Sequence, residues 1–220
     1  MSDVNANNKV KISRATVITI FIVIGLLLAG SIFIGLYVYF FNQNHNSAII
    51  FEKAFEQIKD FDTQNIYTKQ EMEGEIIGLL DNVSENYPMT VSAKRALYYK
   101  AYVFFGVGKY PESLELFQEF VKKYPKDYLA EKSYYFISYC FEYDNKIDDA
   151  IKIMDIMESK FKKSYYLSLV NFRLGFLYEK KKDVKKAIEY YQKLADDNDD
   201  TSQKEEAKKR LAILNNNIKL

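Results

Sequence analysis

The sequence is poor in the residues that carry most protein chemistry. It has one cysteine and one histidine, so no intramolecular disulfide forms and no cluster of Cys and His has the spacing of a metal site. It has no tryptophan, only three prolines and eight glycines, and this composition favours helices over a fold with many turns. The net charge of +1 creates no overall field that would attract nucleic acid, so no nucleic-acid partner is expected.

Motifs of catalysis and of cofactor binding are also missing. The sequence has neither a glycine-rich phosphate loop nor a nucleophile elbow. His45 lies in a polar stretch without metal-binding neighbours, and Cys140 lies inside an apolar helical pattern that predicts a buried thiol. We therefore expect no catalytic residue, no cofactor and no metal ligand, and we rank an enzyme with a helical pocket last among the function classes.

Charge is absent from one long stretch near the start, residues 15–41. A helix of this length is roughly 40 Å long, which is enough to cross a hydrocarbon core of about 30 Å. The apolar region of a cleavable signal peptide spans only about 7–15 residues. We therefore interpret residues 15–41 as an uncleaved transmembrane anchor, and the small residues Ala29 and Ser31 leave the alternative of cleavage open.

The charges that flank this stretch predict its orientation. Lys9, Lys11 and Arg14 precede it, whereas the residues that follow it directly are uncharged. Basic residues favour the cytoplasmic side of a membrane. We therefore predict a single-pass protein of the inner (cytoplasmic) membrane, with its N-terminus in the cytoplasm and its C-terminal domain periplasmic or otherwise extracytoplasmic.

A repeat of 37 residues follows the apolar stretch, and its clear copies begin at Lys94, Glu131 and Ser168. Large apolar residues recur three and four positions apart in both halves of each copy, which predicts pairs of helices with a buried face. Two positions of the repeat hold a small residue in every copy, so the two helices of a pair should approach each other closely there. These are position 8 (Ala101, Ser138, Gly175) and position 20 (Ser113, Ala150, Ala187).

These copies resemble the tetratricopeptide repeat (TPR) family. The segment "LGFLY" (174–178), with Ala187 and Tyr191, is similar to the pattern of that family. Ser138 replaces the family's glycine in the middle copy, Asn171 stands at its Trp-like position, and the period exceeds the usual 34 residues. The resemblance implies an all-α, TPR-like solenoid of helical hairpins preceded by a single transmembrane helix, with a protein or peptide as ligand.

The repeat and the apolar stretch together predict the domain boundaries. A cytoplasmic tail takes residues 1–14, the transmembrane anchor 15–41 and the solenoid 42–220. The solenoid is expected to contain a divergent repeat at about 46–88, three repeats at 94–125, 131–162 and 168–199, and a capping helix at 202–214.

Aromatic residues occupy two positions in the first helix of every copy. In the TPR family these positions line a concave groove, where some members hold a partner's terminal carboxylate with Lys and Asn. Rings replace those residues here, so that clamp is not carried over. The rings either bind a partner in the groove or pack against neighbouring helices, and the sequence leaves both open. They are Tyr98, Tyr135 and Phe172 at position 5, and Tyr102, Tyr139 and Phe176 at position 9.

The order of segments is similar to that of the ancillary subunit of the bacterial Sec translocon: a short tail, one anchor, a TPR domain and a final helix. This resemblance implies an adaptor that assists the Sec translocon or a periplasmic chaperone in handling exported proteins. The alternative is an envelope-assembly or cell-division TPR scaffold, which the stretch "YPKDYLAEKSYY" (124–135) favours.

The predicted topology can be tested with alkaline phosphatase, which is active only outside the cytoplasm. Because the basic residues precede the apolar stretch, a fusion after Leu220 should be active and a fusion at Lys11 should be inactive. Phosphatase activity in intact cells measures both. The reverse pattern would contradict the predicted export.

Overall fold

The computed structural model describes residues 13–161, 166–196 and 202–218, and within these ranges it contains nine α-helices and no strand. The predicted all-α fold is confirmed. The predicted cytoplasmic tail lies outside the described residues except for Ser13 and Arg14. The chain divides into two compact units, Met1–Asn46 and Ser47–Leu220. Helix α1 (Arg14–Thr63) contributes residues to both units, which we describe separately.

The first unit exposes its apolar side chains. Between Val17 and Phe41 the large apolar residues of α1 are 39% to 72% exposed. By length and composition this helix is able to cross a membrane, and a signal sequence near an N-terminus would have the same properties.

The second unit is a stack of antiparallel helix pairs. Its first pair is the later part of α1 with α2, three further pairs follow, and α9 packs on the last of them. The remaining helices are α2 (Ile66–Asn86), α3 (Val91–Gly106), α4 (Tyr110–Lys123), α5 (Tyr128–Tyr143), α6 (Ile147–Lys160), α7 (Leu167–Lys180), α8 (Val184–Ala195) and α9 (Ser202–Ile218).

The turns inside the three regular pairs have the same geometry. Each contains a residue in the left-handed region, namely Gly108 (φ 83°), Asn145 (φ 56°) or Lys182 (φ 65°), at the same position of the 37-residue repeat. The next residue donates its N–H to a carbonyl of the last helical turn, as in the bond of 2.9 Å from Asp183 to Tyr178. This is the Schellman ending of a helix, and it fixes where the second helix begins.

The small residues allow the two helices of a pair to touch, as their pattern predicts. A Cβ atom added to Gly175 would lie 2.6 Å from Cε1 of the buried Tyr191, which belongs to the second helix of the same pair. In the first regular pair the hydroxyl of Ser113 donates a hydrogen bond of 2.8 Å to the carbonyl of Ala101. Position 8 therefore lies where the backbone of one helix meets the other helix.

The core continues through the stack and ends at α9. Buried residues form three clusters, one across α1, α2 and α3, one across α3, α4 and α5, and one from α5 to α9. Ala207, Leu211 and Leu214 of α9 join the last cluster, whereas most of the other described side chains of α9 are polar and either exposed or half-buried. A polar outer face suits a helix that closes a solenoid.

The contact at position 8 can be tested with a pair of glycine substitutions. Gly175→Leu should lower the free energy of unfolding by about 1–3 kcal/mol, because the new side chain would overlap the Tyr191 ring. Gly78→Leu is the matched control, since a Cβ at this helical glycine meets nothing within 4 Å. It should leave stability unchanged or raise it slightly. Equal melting temperatures for the two variants would contradict the close contact.

Candidate functional site

Of the six aromatic residues predicted to line a groove, Tyr98 lies in the core. It is only 4% exposed, and its ring centroid lies 5.5 Å from that of Phe117 and 5.7 Å from that of Phe120. Both phenylalanines belong to the second helix of its own pair. Burial raises the pKa of the Tyr98 hydroxyl. Of the two alternatives that the sequence leaves open, packing against neighbouring helices therefore applies to Tyr98, because the second helix of this pair presents two large rings to it.

Tyr102 is half-buried beside a separate cavity near the start of the stack. Its hydroxyl donates a hydrogen bond of 2.8 Å to Oδ1 of Asp62, and its ring contacts Phe136 with a centroid distance of 5.5 Å. The cavity has a volume of about 350 Å³ and lies among α1, α3 and α5. Tyr102 therefore connects three first helices while one side of it stays accessible.

The two tyrosines of α5 are joined to each other. The hydroxyls of Tyr135 and Tyr139 are 2.9 Å apart, and both rings are half-buried. The guanidinium carbon of Arg173, on the next first helix α7, lies 3.5 Å from the centroid of the Tyr139 ring. Stacking of this kind holds an arginine in a fixed orientation.

The two phenylalanines of α7 lie in different surroundings. Phe172 packs against Tyr191 with a centroid distance of 5.7 Å, on the inner side of its own pair. Phe176 is half-buried and lies among cations: its centroid is 5.1 Å from Nζ of Lys180 and 5.8 Å from the guanidinium carbon of Arg173.

A cavity of about 590 Å³ lies between α5 and α7, and we call it the α5–α7 cavity. It brings together three of the six predicted residues, Tyr139, Phe172 and Phe176, and combines their rings with three charged side chains. Tyr98 and Tyr102 line the smaller cavity instead. The residues that line the α5–α7 cavity are Tyr139, Glu142, Tyr143, Phe172, Arg173, Phe176 and Lys180.

The charged residues of this cavity form one network that the sequence analysis missed. Glu142 forms ion pairs with both Arg173 and Lys180, and the Arg173 side chain is only 4% exposed. Burial alone would raise the pKa of Glu142, but the hydrogen bond from Lys180 and the charge of Arg173 bring it below its usual value. Glu142 is therefore ionised at neutral pH, and its stabilising contribution is lost as the pH falls through this lowered pKa.

The repeat itself could have revealed this network. Glu142 and Glu179 occupy position 12 of successive copies, and Arg173 and Arg210 are also 37 residues apart. Both Glu–Arg combinations form ion pairs, the second with a distance of 3.4 Å between Nε of Arg210 and Oε2 of Glu179. We call this contact, between position 12 of one copy and position 6 of the next, the inter-repeat slot.

Rings take the place of charges at the first inter-repeat slot. There Phe105 and Phe136 occupy positions 12 and 6, and their ring centroids are 5.0 Å apart. The inter-repeat slot therefore changes along the stack from a contact between two rings to an ion pair. The α5–α7 cavity lies at the first slot of the charged kind.

Comparison with known proteins supports the fold. Residues 95–127 and 170–201 match a family model described as tetratricopeptide repeat. MamA from Desulfovibrio magneticus RS-1, residue 41 to its end, is similar over 76% of this chain and 86% of its own, with 14% identity and a TM-score of 0.54. A tetratricopeptide repeat protein from Parabacteroides merdae ATCC 43184 is similar over 76% of this chain and 61% of its own, with 12% identity and a TM-score of 0.58.

The comparison with curated proteins found no match. The matched repeats and the similar structures define the class of fold, which is a TPR-like helical solenoid. At such low identity the solved structures support the fold alone.

Proposed function

We propose that this chain is a membrane-anchored adaptor without catalytic activity, which binds a segment of a protein partner in the α5–α7 cavity. One observation carries the proposal: a single open cavity is lined by aromatic rings from both α5 and α7 and by the buried Arg173. Binding sites typically join apolar walls to a few well-placed polar groups.

The cavity offers two kinds of contact to such a segment. Tyr139 and Phe176 present half-buried rings, and aromatic residues dominate the binding energy of protein interfaces. The ion pair with Glu142 and the stacking on the Tyr139 ring hold Arg173 in place, so little side-chain entropy is lost when a ligand binds. A segment with an apolar side chain next to polar groups would match this surface.

The anchoring half of the proposal comes from the first unit. Residues 15–41 form an exposed apolar part of α1. In the sequence, three basic residues come before this part, namely Lys9, Lys11 and Arg14. These features support a single-pass anchor with the solenoid outside the cytoplasm. Within that topology the partner is the Sec translocon, a periplasmic chaperone or an exported protein, and an envelope-assembly scaffold is the second candidate because of the stretch 124–135.

The cavity can be tested by placing a photoreactive benzoylphenylalanine at Phe176 in native membranes. We expect a crosslinked protein adduct, which mass spectrometry would identify, because a partner ring or chain would cover Phe176. The control carries the same group at Tyr67, which is 78% exposed on α2 and outside the cavity. With the identified partner, Phe176→Ala should weaken binding by about 2 kcal/mol or more, and Tyr67→Ala should not.

Two results would show that the α5–α7 cavity is not the binding site. Crosslinking at Tyr67 with none at Phe176, Tyr139 or Phe172 would place the partner elsewhere. Unchanged affinity of a folded Phe176→Ala variant would have the same meaning. Circular dichroism of each variant separates a loss of binding from a loss of structure.

A further inference from the structure

We propose that one edge of the second unit rests on an anionic lipid surface. This edge, which we call the entry edge, is the one where α1 enters the stack, and it carries Met89, Val91 and Tyr128 together with Lys122 and Lys126. The inference rests on the proposed membrane anchor and adds a second membrane contact, made by the solenoid itself.

The first helices run in one direction, so their starts lie at one edge. In α1 and α3, the Phe51 ring lies 5.7 Å from the Tyr99 ring, and ten residues later Phe61 lies against Gly106. Ser47, the first residue of this unit, therefore lies at the same end as the start of α3. An ion pair between Lys94 and Asp127 joins the starts of α3 and α5 directly.

Apolar side chains are exposed at this edge. Met89 is 82% exposed, Val91 57% and Tyr128 61%, although the helices beside them have a well-packed core. Val91 and Tyr128 occupy the same position of successive copies, at the first residue of α3 and of α5. Tyrosine is enriched where membranes meet water, because its ring is apolar and its hydroxyl is polar.

The charge of the edge is positive. The segment 122–128 contains three lysines and one acid, and that acid, Asp127, is paired with Lys94. Lys123 pairs with Glu119 at 2.7 Å, whereas Lys122 and Lys126 are exposed. Arg95 is exposed at the start of α3, and Glu85, at the end of α2, is an exposed acid at the same edge. Exposed basic residues beside a membrane are attracted to acidic lipids.

The connection between the predicted span and the entry edge is short. Only residues 42–46 separate the predicted span 15–41 from Ser47. A segment this short reaches at most roughly 17 Å even when it is fully extended. Ser47 therefore lies within roughly 17 Å of the end of the predicted span. A lipid surface also matches the apolar and the basic character of the side chains that are exposed at the entry edge.

The absence of tryptophan allows a sharp experiment with the full chain in vesicles. We would compare Tyr128→Trp, at the entry edge, with Tyr67→Trp, which lies at the start of α2 and so at the opposite edge. Both tyrosines are exposed, so neither change should disturb packing, and circular dichroism checks this. The vesicles contain brominated phosphatidylcholine, with or without phosphatidylglycerol, and bromine quenches only a tryptophan that touches lipid.

We expect quenching of Tyr128→Trp to be at least several-fold stronger than that of Tyr67→Trp. It should decrease when phosphatidylglycerol is left out, and also when Lys122→Glu and Lys126→Glu are added. Equal quenching at the two positions, or none at either, would overturn the proposed contact. Strong quenching that needs neither phosphatidylglycerol nor the two lysines would overturn the role of anionic lipid.

Flotation of the same vesicles tests the membrane anchor separately from the contact of the entry edge with lipid. A chain that floats with the vesicles but shows no quenching at position 128 retains its anchor and lacks the edge contact. A chain that does not float contradicts the anchor, and the edge contact that depends on it is then wrong as well.

Discussion

The whole solenoid depends on the close approach of two helices within each pair. At position 8 one helix offers a small residue, and the second helix fills the space: Tyr191 lies against Gly175, and Ser113 bonds to Ala101. The left-handed turn residues fix the direction in which the second helix returns. The three regular pairs are built in the same way, and stacking them places their first helices side by side. This surface contains the α5–α7 cavity and, together with α1, the smaller cavity.

The stacked pairs differ in how they join. The inter-repeat slot holds two rings between the first two regular pairs and an ion pair at the next two junctions. A buried ion pair needs additional partners to offset its desolvation. Glu142 has Lys180 as a second partner, and Arg173 lies against the Tyr139 ring. The contacts that hold α7 on α5 thus also supply the polar groups of the proposed binding site.

The sequence predicted those features that depend on residue size and period. The patterns of residue size and spacing directly predicted the close contact at position 8, the helix pairs and the apolar helix, because few structures satisfy such patterns. The surroundings of individual rings did not follow. Tyr98 and Phe172 both occupy position 5, yet Tyr98 is buried by Phe117 and Phe120, and this depends on which side chains the second helix presents. The pairing of Glu142 with Arg173 crosses between repeats, so a reading of each copy by itself did not reveal it.

The most direct test of this account is a double-mutant cycle at the slot between α5 and α7. If the ion pair and the ring pair fill equivalent slots, Glu142→Phe and Arg173→Phe should each destabilise the chain, by up to about 3–5 kcal/mol for breaking a buried pair. The double variant should recover much of that loss, because it recreates the contact of Phe105 with Phe136. Free energies of unfolding measured by denaturant for all four chains decide the question. A double variant that loses the sum of the two single effects would contradict the equivalence of the slots.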